Sequence, residues 1–210
     1  MRIIDAPQGT PEWLAARSGV ATASCFAAIM ATTKSGGEAA ERRNYRSRLV
    51  VERLTGKPVQ TFQSAAMKQG TEREPFARMA FEAQTGYIVQ EVGLCMHDTL
   101  PAGASPDGFI NEDGGLEIKC PELSNHLAYL QIKAEPAEYT WQIQGAMWIT
   151  GRQWWKFVSF NPDFPEHLQL IVRRIERNEE QIKKLAAEVE KFLAEVDAEV
   201  ERVRAMKVAA

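Results

Sequence analysis

Apolar residues return every three or four positions towards the end of the chain, at Ile182, Leu185, Val189, Phe192, Val196, Val200 and Val203, with Glu and Lys filling the gaps. That spacing lays one apolar stripe along a helix over 176–206. The stripe can cover its own domain or meet a second subunit, and the pattern leaves both open. The same period predicts helices over 38–54, 68–84, 123–133 and 138–149. A shorter helix is expected over 22–30, with Thr22 or Ser24 as its cap. The stretch Lys34-Ser35-Gly36-Gly37 reads as a flexible basic loop.

Between Tyr87 and Leu116 the texture changes to short β-branched or apolar runs, Tyr87-Ile88-Val89 and Val92-Gly93-Leu94, interrupted by Pro101, Gly103 and Pro106. Phe109-Ile110 and Leu116-Glu117-Ile118-Lys119 flank Asn111-Glu112-Asp113-Gly114-Gly115, whose residues tolerate the positive φ that a hairpin needs. Two later strands are expected at 154–160 and 167–172. Strands alternating with helices imply an α/β (α+β) fold, a central mixed sheet flanked by helices with a long helix at the C-terminus. At 210 residues, one domain over 1–210 is the simplest reading, with 175–210 as its amphipathic helical end.

Charge and composition narrow the chemistry. A formal net charge of -3 means that any surface for a polyanion must be local. Three widely spaced cysteines, Cys25, Cys95 and Cys120, lack the pairing of a structural zinc site or an iron–sulfur cluster, and read as buried reduced thiols. The five tryptophans read as core or interface mass. No segment is apolar enough to span a bilayer, and Met1 to Thr10 lacks the form of a secretory signal.

In a strand, residues two apart share a face, so Glu117 and Lys119 project together while Ile118 faces the core. If the preceding arm is antiparallel, Asp107 returns to the level of Lys119 and sits beside Glu117. Two carboxylates at close quarters repel unless a cation joins them, and an oxygen site that keeps several waters suits Mg²⁺ or Mn²⁺. Such an ion lowers the pKa of bound water from roughly 15.7 towards 7 and stabilises charge on a phosphoryl oxygen. Phosphodiester hydrolysis fits that chemistry. Lys119 would orient or deprotonate the water, or offset charge in the transition state. Alone, Glu-x-Lys is more often a solvated pair. Ser105-Pro106-Asp107-Gly108 at hairpin distance and Cys120-Pro121 at the strand's end raise its weight.

Five segments in one order carry a family resemblance: Trp13-Leu14-Ala15-Ala16-Arg17 with Thr22-Ala23-Ser24; Gly70-Thr71-Glu72-Arg73-Glu74; Ala104-Ser105-Pro106-Asp107-Gly108; Leu116-Glu117-Ile118-Lys119-Cys120-Pro121; and Gln142-Ile143-Gln144-Gly145-Ala146-Met147-Trp148. They resemble the lambda-type exonucleases, also called YqaJ-like viral recombinases, within the PD-(D/E)xK superfamily, which implies a restriction-endonuclease-like core. The resemblance implies that Asp107 and Glu117 bind metal with the carbonyl of Ile118, and that Lys119 is the catalytic lysine. It implies further site roles for Glu74 and Gln142, for which Glu72 and Gln144 are competitors by spacing. Arg17 and Ser24 match residues that grip a 5′-phosphate, a task suited to a guanidinium and a hydroxyl at a helix start. Met67 stands where the family places an apolar wedge, and Lys34 lies in a loop that reaches a groove.

The implied activity is a Mg²⁺-dependent exonuclease, with two ions and Mn²⁺ able to substitute. It would degrade the 5′ strand of duplex ends processively and leave 3′ overhangs for strand annealing. The family also implies a homotrimeric ring around DNA, a single-strand annealing protein as partner, and a phage or prophage origin in a bacterial cytoplasm. Arg42, Arg43, Arg46 and Arg48 offer a basic lining for such a ring, or a solvated helix face. The alternatives are an endonuclease or nickase of the same fold and a noncatalytic DNA-binding adaptor.

Overall fold

The computed structural model describes residues 1–60 and 64–206, so the last four positions of the expected C-terminal segment lie outside the described residues. In chain order the elements are β1 (Arg2–Ile4), α1 (Pro11–Arg17), β2 (Ala21–Thr22), α2 (Phe26–Met30), α3 (Ala40–Thr55), α4 (Ala65–Thr85), β3 (Val89–Gln90), β4 (Leu94–Met96), β5 (Ala102–Ala104), β6 (Gly108–Ile110), β7 (Gly114–Lys119), α5 (Leu123–Leu130), α6 (Thr140–Thr150), β8 (Trp154–Phe160), β9 (Leu170–Glu176) and α7 (Glu179–Arg204). The fold is mixed α/β with a long final helix, as the sequence predicts. The strands divide between two sheets, however, where one central sheet was expected. The larger is mixed, in the order β3-β6-β7-β8-β9, and the smaller runs β1-β4-β5-β2.

The larger sheet carries its own logic. The β6–β7 and β8–β9 pairs are antiparallel, whereas β7 and β8 are parallel and joined through α5 and α6. The parallel centre explains the burial of β7 and β8 on both faces. Helix α4 packs its Ala77 and Phe81 against Ile110, Leu116, Ile118 and Val158 on one face. On the other face, Phe157 and Trp155 join the main core with α2, α3, α6 and α7.

Helix α7 settles its own ambiguity. Ile182, Leu185, Val189, Phe192, Val196 and Val200 are buried within the chain's own core, and the Tyr45 and Phe192 rings stack at 5.4 Å. Asn178 caps it, accepting from the Gln181 N–H at 3.0 Å. On its flank Arg42 reaches Glu195 with two hydrogen bonds, and Arg46 contacts Glu38, Glu195 and Glu199. Arg42 and Arg46 are thus committed to this intramolecular network. The expected row of four free basic residues is not formed, because only Arg43 among them is exposed.

The segment 22–30 departs from expectation. Thr22 pairs with Gly103 in the small sheet, a 3₁₀ turn follows at Ala23–Cys25, and α2 has only five residues. Thr22 stands at the N-cap position of the 3₁₀ turn without a side-chain cap bond, and Ser24 caps no helix. The Thr22 N–H is taken instead by the buried Tyr45 hydroxyl at 2.9 Å, which fixes extended backbone there. Of the cysteines, Cys95 is buried while Cys25 and Cys120 are half-buried, and all three are free thiols.

Candidate active site

The β6–β7 hairpin forms where the sequence places it, but two residues tighter. Only Asn111 to Asp113 make the turn, and Asn111 takes the left-handed conformation at φ 51°. Gly114 and Gly115 already pair with Ile110 and Phe109. They belong to the strand because their missing side chains make room for the rings of Trp154 and Trp155 on β8, which a Cβ at either glycine would meet at 2.2 Å. Asp107 therefore lies opposite Leu116 and Glu117, not level with Lys119. Its N–H donates to the Leu116 carbonyl at 3.2 Å, and its Oδ2 accepts from the Ile118 N–H at 2.6 Å. A strand residue's N–H and C=O point to the same side, so the Ile118 carbonyl faces the Asp107 edge as well.

Glu117 is the hub of the site, with only 3% of its surface exposed. Its Oε1 accepts from Lys119 Nζ and from Gln142 Nε2, each at 2.5 Å. The structure thus separates the two glutamines. Gln144, two residues on, lies on the opposite side of α6, where its amide donates to the Glu176 carbonyl and accepts from the Asn178 N–H, tying β9 to α7. It separates the two glutamates in the same way. Glu74 is half-buried on α4 and faces the cleft with Asp107, while Glu72 is exposed and lines no cleft with these residues.

Negative charge is crowded here. Desolvation pushes the Asp107 carboxyl well above its ordinary value, and Glu117 and Glu74 push it the same way. Glu74 is raised too, by desolvation and then by Glu117, against the pull of Arg78 at 3.4 Å. Lys119 shows the complement: burial draws its pKa down, but Glu117 and Asp107 outweigh that and hold it above the ordinary lysine value as an ammonium. Its Nζ also sits 5.0 Å from the centre of the Tyr139 ring.

Among the described residues no three His, Cys, Asp or Glu side chains close a metal cage by themselves. Asp107, which lines one cleft, Ile118, which lines the other, and the buried Glu117 are the donor set on offer. That set fits a hard cation that keeps much of its water, and the crowding of Asp107 by Glu117 and Glu74 is what such a cation would relieve. Two clefts meet at the site, sharing Thr71 and Glu74. One, about 520 Å³, includes Trp13, Pro106 and Asp107; the other, about 450 Å³, includes Met67, Lys119 and Tyr139. Met67, 55% exposed in the first turn of α4, thus stands at the rim of the lysine side.

Arg17 and Ser24 come together as the sequence suggests, through different architecture. No helix start forms the pocket, because Ser24 lies in the 3₁₀ turn. Arg17 Nη2 donates to Thr22 Oγ1 at 3.2 Å and to Ser24 Oγ at 3.4 Å, while its guanidinium lies 4.0 Å from the Trp13 ring centre. Trp13 in turn donates to Ser105 Oγ at 3.1 Å and walls the cleft of Asp107 on its other side. Lys34 stands apart, exposed in a loop closed by the Thr32–Glu38 bridge, and lines neither cleft.

One buried group carries no signal in the sequence. His126 on α5 is fully buried, with Nδ1 2.8 Å from Ser159 Oγ and Nε2 2.9 Å from the Leu168 carbonyl. The carbonyl can only accept, so Nε2 carries the proton and Nδ1 accepts from Ser159. Burial lowers its pKa below the ordinary 6.5, the carbonyl opposing. The unfolded chain therefore binds the extra proton first, and the stability that neutral His126 contributes is lost as pH falls from 6.5 through the folded value. Thermal melts between pH 7 and pH 5 should show this loss in the wild type and a shallower one in His126→Gln; parallel curves would remove the assignment.

The comparisons with known proteins follow the same lines. The model of the YqaJ-like viral recombinase domain matches residues 12–153. The crystal structure of LHK-Exo in complex with dAMP is 44% identical, with a TM-score of 0.86, and the match covers 93% of this chain and 96% of that one. The alkaline exonuclease LHK-Exo from Laribacter hongkongensis is 43% identical over the same shares, also at 0.86. A phage related exonuclease from Haemophilus somnus shares 16% identity over 88% of this chain and 96% of its own, with a TM-score of 0.72, which is a likeness of fold alone. No curated protein matches. With most of the chain inside the family model, this chain belongs to the YqaJ-like viral recombinase family of metal-dependent nucleases.

Proposed function

We propose that the chain, as one catalytic domain over 1–210, is a Mg²⁺-dependent 5′-to-3′ exonuclease that degrades the 5′ strand of duplex DNA ends and leaves 3′ overhangs. The observation that carries this reading is the shared wall at Trp13. The arginine pocket of Arg17 lies on one side of it and the carboxylate cleft of Asp107 on the other, so a gripped end and a hydrolytic centre are neighbours. A nuclease that cuts internally has no need of an arginine-lined pocket beside its centre.

Asp107, Glu117 and the Ile118 carbonyl would hold the ions, two in number, with Mn²⁺ able to replace Mg²⁺. When bound, the cation supplies a water of lowered pKa and neutralises charge on the phosphoryl oxygens. The rest falls to the chain's own groups. The Gln142 amide fixes one Glu117 oxygen and so orients the carboxylate. The Lys119 ammonium offsets charge that builds on the scissile phosphoryl group. Glu74 stands across the cleft as a further acid at the centre. Arg17 and Ser24 receive the 5′-phosphate, Met67 parts the terminal pairs, and Lys34 meets a groove farther along the duplex. A homotrimeric ring would keep the enzyme on its substrate, and the emerging strand would load a single-strand annealing protein in the cytoplasm of a phage- or prophage-bearing bacterium.

The test compares linear duplexes bearing a 5′-phosphate or a 5′-hydroxyl with covalently closed circles. Phosphorylated ends should be degraded about tenfold or more faster, as befits a charge-assisted contact to one group, and circles should persist. Equal rates on both ends, or cleavage of circles, would contradict the reading.

A further inference from the structure

The end-binding pocket contains a second guanidinium that the sequence did not single out for it. Arg48 lines the same cavity, about 230 Å³, as Arg17, Thr22 and Glu52. Three other arginines of α3 are spoken for: Arg42, Arg46 and Arg53 pair with Glu195, Glu199 and Asp197 on α7, while Arg43 points to solvent away from the cavity. Arg48 has no such partner among the described residues. Its Nη2 donates to the Cys25 thiol at 3.1 Å, its Nε is shielded from water without an acceptor, and its guanidinium lies 4.6 Å from the Tyr45 ring centre. A thiol sulfur is a weak hydrogen-bond acceptor, so exchanging it for a phosphate oxygen costs little.

Charge counting shows why a second guanidinium matters. Glu52 also borders the cavity, with its oxygens occupied by the Gly19 N–H at 2.8 Å and the Val59 N–H at 3.2 Å. Two guanidiniums against one carboxylate leave the pocket positive. Without Arg48, Arg17 and Glu52 would cancel. A terminal phosphomonoester carries a charge of about -1.5 to -2 near neutrality, whereas an internal diester carries about -1. The extra charge is what distinguishes an end.

We propose that Arg48 is a specificity-determining residue, the second guanidinium of a clamp with Arg17 that selects a terminal 5′-phosphomonoester over internal phosphodiesters. The inference rests on the end-binding reading above and deepens it. The linkage Arg17–Ser24–Cys25–Arg48 places the Cys25 thiol inside the clamp, with Ser24 Oγ 4.0 Å from Cys25 Sγ. The thiol is therefore a reporter of occupancy.

The experiment measures the ratio of initial rates on 5′-phosphorylated and 5′-hydroxyl duplexes for the wild type, Arg17→Met, Arg48→Met and Arg48→Lys. The ratio should fall about tenfold or more in Arg48→Met, the size expected for one charge-assisted hydrogen bond. It should be intermediate in Arg48→Lys, which keeps the charge but loses the planar fork. In parallel, alkylation of Cys25 in the wild type is followed in EDTA, which prevents hydrolysis. A 5′-phosphorylated duplex should slow it, and a 5′-hydroxyl duplex should not. An unchanged ratio in Arg48→Met while Arg17→Met loses it overturns the role of Arg48 alone. So does a loss in Arg48→Met that is equal on both substrates, or Cys25 alkylation indifferent to phosphorylated ends. If Arg17→Met and Arg48→Met both keep the wild-type ratio, the end-binding reading falls with it.

Discussion

Asp107→Asn should lower metal-dependent nucleotide release from duplex DNA by about a thousandfold or more, the scale of losing several kcal/mol of transition-state charge stabilisation. The substitution is nearly isosteric. The asparagine carbonyl oxygen can still accept from the Ile118 N–H, so the end of the hairpin should hold. What disappears is one of the two carboxylates facing each other across β6 and β7. Because Asp107 sits among Glu117 and Glu74, the metal-free fold should lose nothing and gain by relief of repulsion. Melting curves without metal, read beside the activity, separate the two effects. Full nucleotide release by a folded Asp107→Asn protein would mean that the chemistry lies elsewhere.

The second large effect is structural and lies on the face of β7 that Glu117 and Lys119 share, two residues before Glu117. Gly115→Ala places a Cβ 2.2 Å from Cζ3 of Trp155, a ring with no exposed surface and no room to turn. Overpacking of this kind costs about 3 kcal/mol, which lowers Tm by roughly 6–12 °C in a chain of this size. Either β7 or the tryptophan must move. Since β7 carries Glu117 and Lys119 two and four residues on, activity should fall even below the melting range. A smaller ring partner, Trp155→Leu, combined with Gly115→Ala should recover part of both. A variant with wild-type Tm and activity would show that the strand has slack that the packing does not suggest.

These two positions also show what could be read from the chain and what could not. Pro106-Asp107 and Glu117-Ile118-Lys119, separated by turn residues, announced the hairpin and its shared face. The register differs by two residues from the one the pattern predicts, because Gly114 and Gly115 have the composition of a turn yet pair within the strand. Their place in the strand is dictated by Trp154 and Trp155, forty residues away. Glu74 against Glu72, and Gln142 against Gln144, were undecidable by spacing; the packing of α4 and α6 separates them. The strand β5 has small residues, Ala102-Gly103-Ala104, and no β-branched signal, so only its pairing with β4 and β2 reveals it. Helix α1 carries a local signal of its own: Thr10 accepts from the Trp13 N–H, with Pro11 in the first turn and Glu12 beside it. Thr22 and Ser24 look like caps, yet pairing with β5 and the Tyr45 hydroxyl override the local preference. Arg48 read as one of four helix arginines; unlike Arg42 and Arg46 it has no carboxylate partner among the described residues, and unlike the exposed Arg43 it lines the cavity of Arg17.

The most direct test of the central claim is anomalous diffraction from crystals of the wild-type protein equilibrated with Mn²⁺. A peak is predicted within coordination distance of an Asp107 oxygen, a Glu117 oxygen and the Ile118 carbonyl, about 2–2.3 Å for a hard cation of this size. A peak that avoids these groups, with both carboxylates left as they stand, would contradict the account.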